Sequence, residues 1–149
     1  MNGPFRTAED YELFLYTLHN QFPSIRRSTV TFVRRGTSLA RVAGELHFDQ
    51  NVRLVVRERL VFDRLPIMMD WYGYEIWLGE EKLYWYDSQP HAGDLILERT
   101  YPNHKHIPPG IKHNRIPAPE MSFVQPNLPV LIREIEDLIR QIESTSGSA

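Results

Sequence analysis

The sequence predicts a single α+β domain: an antiparallel meander of about five or six strands, flanked by an N-terminal and a C-terminal helix. Three observations carry this prediction. Apolar residues recur at helical spacing near both ends of the chain, and between them they alternate with period two. The alternating segments are joined by turns too short for crossover connections. A length of 149 residues fits one domain spanning 1–149, and 42% hydrophobic with 24% charged residues is a globular composition.

The elements follow in order. Thr7 with Asp10 three residues on is a capping-box-like helix start, and Asp10 and Glu12 suit the positive end of the helix dipole. Tyr11, Phe14, Leu15 and Leu18 then form one apolar stripe, which Phe22-Pro23 ends. From Ile25 the period is two. Val30 and Phe32 alternate with Thr29, Thr31 and Val33, and Arg35-Gly36-Thr37 turns the chain. Ala40, Val42, Gly44, Leu46 and Phe48 follow, then the Asp49-Gln50-Asn51 turn. Val52, Leu54, Val56, Leu60 and Phe62 point one way, with Arg53, Arg57 and Arg59 the other. After Pro66 an aromatic hairpin runs from Met69 to Leu78 and from Lys82 to Asp87, around Gly79-Glu80-Glu81. Its tyrosines and tryptophans fall on both alternating faces, which predicts strands covered on both sides.

Residues 88–126 hold seven of the eleven prolines and four of the six histidines. We expect an ordered loop that closes over one sheet end, with residues 95–100 as a candidate further strand. Asn127 is the expected cap of the closing helix, whose stripe is Leu128, Leu131, Ile132, Ile135, Leu138, Ile139 and Ile142. From about Ser144 the tail is expected to fray.

Several function classes drop out. With no cysteine there is no disulfide scaffold, Cys-based zinc ribbon or thiol nucleophile. No apolar run approaches a membrane span and the first residues are not a signal peptide, so a soluble cytoplasmic domain without membrane contact is the expectation. No dinucleotide fingerprint, phosphate-binding P-loop or G-x-S-x-G elbow is present. The net charge of −2 excludes a uniformly basic polymer binder, yet residues 24–64 hold nine arginines against four acidic groups. Such a segment reads either as a phosphate-binding face or as an ordinary solvated one.

His91, His104, His106 and His113 are the candidate chemical groups. In an extended His104-Lys105-His106, both imidazoles face one way and Lys105 the other. Three readings stay open on spacing alone. The imidazoles hold the proline-rich segment by hydrogen bonds; or they divide general base and general acid between them; or, with His91 and Asp87, they ligate a divalent metal. The chain otherwise asks for no cofactor.

The stretch Tyr84-Trp85-Tyr86-Asp87-Ser88-Gln89-Pro90-His91, followed by Tyr101-Pro102-Asn103-His104-Lys105-His106, resembles the TumE-type toxin family of the TumE/TumA toxin–antitoxin pair. That family carries an aromatic-Asp-Asn-x-Pro-His segment after a Tyr-rich strand, then a Pro-His-His-Lys-His run and a closing amphipathic helix. Asp87, Pro90, His91, Pro102, His104, Lys105 and His106 match, while Ser88 replaces an Asn and Asn103 replaces one His. Glu58 and Tyr72-Gly73-Tyr74 also fit the pattern, and the likeness covers roughly residues 50–143. It implies a toxin neutralised by a cognate antitoxin that carries a helix-turn-helix. The resulting expectation is a ribonuclease with His104 and His106 as acid and base, and His91 and Asp87 orienting them. Lys105 or the arginines Arg53, Arg57 and Arg59 would hold RNA phosphate. The alternatives are a non-enzymatic protein-interaction module and a His-based metallohydrolase.

Overall fold

A computed structural model describes residues 3–88, 103–108 and 115–147. Thr7 accepts a hydrogen bond from the Asp10 backbone and opens α1 (Ala8–Tyr16), burying Tyr11 and Leu15. The predicted single helix is two. At Thr17 the hydroxyl bonds the Leu13 carbonyl at 2.7 Å, and the chain leaves helical geometry before α2 (Leu18–Gln21). A side-chain hydroxyl that competes for the backbone in this way weakens a helix at that point.

Among the described residues, eight strands make one antiparallel sheet: β1 (Arg27–Ser28), β2 (Thr31–Arg35), β3 (Leu39–His47), β4 (Val52–Val61), β5 (Met68–Leu78), β6 (Glu81–Asp87), β7 (His104–His106) and β8 (Arg115–Pro117). The order is β1-β3-β4-β5-β6-β7-β8, with β2 also alongside β3. The α+β meander is as predicted, but with more strands, for two reasons. The first strand breaks into β1 and β2 where it crosses Gly44. There φ is +148°, and a Cβ would lie 2.5 Å from the Thr29 carbonyl oxygen. The segment read as loop also supplies β7 and β8, while residues 95–100 lie outside the described residues.

The helix α3 (Leu128–Gly147) buries Leu128, Leu131, Ile132 and Ile135 and continues past the expected fraying point. Asn127 does not spend its side chain inside the helix. Its Oδ1 accepts from the Ser122 backbone at 2.8 Å, and its Nδ2 donates to the Tyr74 hydroxyl at 3.2 Å. Strand alternation sorts the aromatic hairpin by residue type. Tyr72, Tyr74 and Tyr86 are buried in the core with Leu54, Val56 and Leu60, and Tyr86 reaches Glu134 of α3 at 2.8 Å. Trp71, Trp77 and Trp85 take the other face, where Trp77 and Trp85 are half-buried and Trp71 is 38% exposed. No helix among the described residues is long and apolar enough to cross a membrane.

Candidate functional site

Register brings the site together. β6 pairs with β7 so that Asp87 lies opposite His104 and Trp85 opposite His106. Positions i and i+2 of a strand share a face, so two consecutive cross-strand pairs place all four side chains side by side. His104 Nε2 is 2.7 Å from Asp87 Oδ1, and His106 Nε2 is 3.2 Å from Asp87 Oδ2. The two imidazole nitrogens are 3.0 Å apart. Trp85 supports the cluster twice: its indole N–H donates to Asp87 Oδ2 at 3.2 Å, and its ring stacks on His106 with centroids 4.0 Å apart. The three donor groups are near enough to one another to hold one metal ion.

Lys105 does not join them. The alternation that turns the imidazoles one way sends its side chain to the core side of the sheet. There its Nζ pairs with Glu134 at 3.2 Å and lies over the Tyr84 and Tyr86 rings. Lys105, expected to hold phosphate, is thus placed on the side of the sheet away from the histidines. His91 and His113 lie outside the described residues.

The arginines share the face of the histidines. Arg57 pairs with Gly73, which pairs with Asp87, so one transverse row reads Arg57, Gly73, Asp87, His104. Arg57 and Asp87 are two strand spacings apart, about 10 Å between Cα atoms, and the Trp71 ring lies over the glycine between them. Arg57 is held 3.6 Å from Glu75. Arg59 is tied at 2.6 Å to Asp70, the residue left unopposed where the β4–β5 register shifts. With Arg41 and Trp71 these two arginines line a 460 Å³ groove. Arg53 is placed differently. It sits at the turn end of β4, over Trp77 and bonded to the Gly79 carbonyl at 3.1 Å, four residues along the strand from Arg57.

Sequence reasoning missed Trp71 and Arg115. Trp71 shares the arginine face because it lies opposite Arg59 and alternates with the buried Tyr72, Tyr74 and Ile76; the β4–β5 bulge falls beyond it and resets Met69. Arg115 is the cross-strand neighbour of His106, and its buried Nε makes no hydrogen bond. Finding it from sequence would have required knowing that β8 exists.

On the core side, Tyr11 and Tyr74 both donate to the carboxyl of Glu58, with short contacts. Burial pushes Glu58 up to about 7 against the opposing pull of those two hydroxyls. Tyr11 and Tyr74 are themselves raised by burial and by the facing carboxyl. This buried triad sits in the core, on the face of the sheet opposite the histidines, and is a packing feature.

A family model described as Toxin TumE matches residues 14–139 of the chain. No curated protein and no solved structure matches it significantly.

Proposed function

The chain belongs to the TumE toxin family, and on that premise we propose that it is the toxin of a toxin–antitoxin pair and acts by cleaving RNA at the Asp87–His104–His106 cluster. Its partner is the cognate antitoxin, which on the family likeness carries a helix-turn-helix. The observation that supports a chemical role is the single row that joins Arg57 to Asp87 and His104 across Gly73. A basic side chain and a proton-transferring cluster in one row, with the Trp71 ring over the glycine between them, suit a phosphodiester: the phosphate beside Arg57, the reacting oxygen at the cluster. Trp71 lies over that glycine and lines the groove beside the arginines, and indole faces stack bases without regard to sequence.

The geometry changes how the histidines divide the work. In-line displacement at phosphorus puts attacking and leaving oxygens on opposite sides, so a separate base and acid must flank the phosphate. Nitrogens 3.0 Å apart on one carboxylate leave no room between them. The pair serves as one centre that takes the proton of the attacking hydroxyl, Asp87 fixes both rings, and water supplies the proton to the leaving oxygen as its bond to phosphorus breaks.

The test is inducible expression in bacteria, following growth and total RNA integrity. The wild type is compared with His104→Ala and His106→Ala, and circular dichroism checks that each folds. Growth arrest with RNA fragmentation in the wild type alone is expected. Arrest with intact RNA, or equal fragmentation by both folded variants, would refute the reading. With purified protein, cleavage of many RNA molecules per chain separates an enzyme from a binding module.

A further inference from the structure

The hydrogen-bonding of the Asp87–His104–His106 cluster does not close on itself. Three groups in mutual contact form an odd ring, and donors and acceptors cannot alternate around it. With the carboxylate ionised, it accepts from both imidazoles. If both Nε2 atoms then carry protons, two donors face each other at 3.0 Å. If one gives up its proton, its lone pair faces the carboxylate instead, at 2.7 or 3.2 Å. The histidines are 1% and 4% exposed, so their contacts with one another lie in a largely buried site.

A cation resolves all three contacts at once, because each group then turns a lone pair toward the same point. Ligands about 2.1 Å from a metal are about 3.0 Å apart at right angles and about 3.4 Å apart in a tetrahedron. The contacts of 2.7, 3.0 and 3.2 Å have that scale, with the carboxylate offering one oxygen to each side. We propose that Asp87, His104 and His106 form a binding site for one divalent transition-metal ion of the zinc or manganese class. Two imidazoles and a carboxylate suit these ions better than magnesium or calcium, which prefer all-oxygen sets. The Trp85 contacts to Asp87 and His106 hold two of the ligands in place, the supporting layer such sites need. Three protein ligands leave at least one position for water or a substrate oxygen. The inference stands on donor geometry and does not need RNA as the substrate.

The experiment uses the purified full chain, stripped with chelator and dialysed against Zn²⁺, Mn²⁺ or Co²⁺ alone. Metal content, thermal midpoint and the visible spectrum of the Co²⁺ form are read. Retention near one equivalent and a raised midpoint are expected. Asp87→Asn and His104→Ala are each expected to weaken retention by more than about 100-fold, while His47→Ala, on the same face outside the cluster, leaves it unchanged. Should His104→Ala fail to fold, Asp87→Asn, which keeps the side-chain shape, decides. No ion retained by the folded wild type, or equal retention by Asp87→Asn, would overturn the site. RNA cleavage is scored separately. Retained metal without cleavage keeps the site and removes the ribonuclease reading; cleavage by metal-free protein does the reverse.

Discussion

Replacing Glu58 with glutamine removes one proton-binding group from the middle of the core while keeping its shape. In the folded chain burial holds this carboxyl at about 7, against an ordinary value of 4.5. At about 1.4 kcal/mol per tenfold, that gap corresponds to about 3 kcal/mol. The sign follows from which state ionises first. Below about pH 4.5 the carboxyl is protonated in both states and costs nothing. As pH rises, the unfolded chain releases its proton while the folded chain keeps it, so stability falls until about pH 7 and then levels off. Glu58→Gln has no such group, so its stability lacks this slope. Urea unfolding of both proteins from about pH 4.5 to 8 gives the difference, from which every other titrating group cancels. The wild type should lose about 3 kcal/mol relative to the variant across that range. A difference that stays flat with pH would refute the argument, because the carboxyl would then ionise in the core as easily as in water.

Gly44→Ala forces a Cβ against the Thr29 carbonyl at a left-handed φ, and should cost at least about 2 kcal/mol in chemical denaturation; a neutral result would mean the β1–β2 crossing is not packed as described. Lys105→Met, on the core side of the sheet, should cost about 1 kcal/mol through its lost pairing with Glu134. RNA cleavage per folded molecule should stay within about twofold, and a larger loss would return Lys105 to the site. Trp71→Ala should weaken binding of single-stranded RNA by about 1–3 kcal/mol, read by fluorescence anisotropy of a labelled oligonucleotide; equal affinity would take the groove beside Arg57 and Arg59 off the RNA path.

The sequence made legible whatever depends on local period. Val52, Leu54, Val56 and Leu60 are buried as their alternation requires, and the stripe of α3 is buried where a 3.6-residue repeat places it. The opposed directions of His104 and Lys105 were legible on the same ground. Pairing between distant segments was not. Asp87 meets His104 only because β7 docks on β6 in one register, and a slip of one residue would turn both imidazoles into the core. The β4–β5 bulge that leaves Asp70 unopposed beside Arg59 is likewise a property of the paired strands, as is the passage of Thr29 over Gly44. Helix termination at Thr17 was hidden for another reason: the apolar stripe runs through it unbroken, to Leu18.

The sorting of the aromatic hairpin has an optical consequence. All three tryptophans of the chain lie on the histidine–arginine face, while Tyr11, Tyr72, Tyr74 and Tyr86 are in the core. Light that excites indole selectively therefore reports on the site face and is nearly silent about the interior. Trp85, stacked on His106, is a contact quencher's distance from the cluster, and Trp71 lines the groove. Single Trp→Phe replacements would separate the two signals, so that an ion arriving at Asp87 and a base arriving beside Arg57 could be timed in one cuvette without attaching a dye.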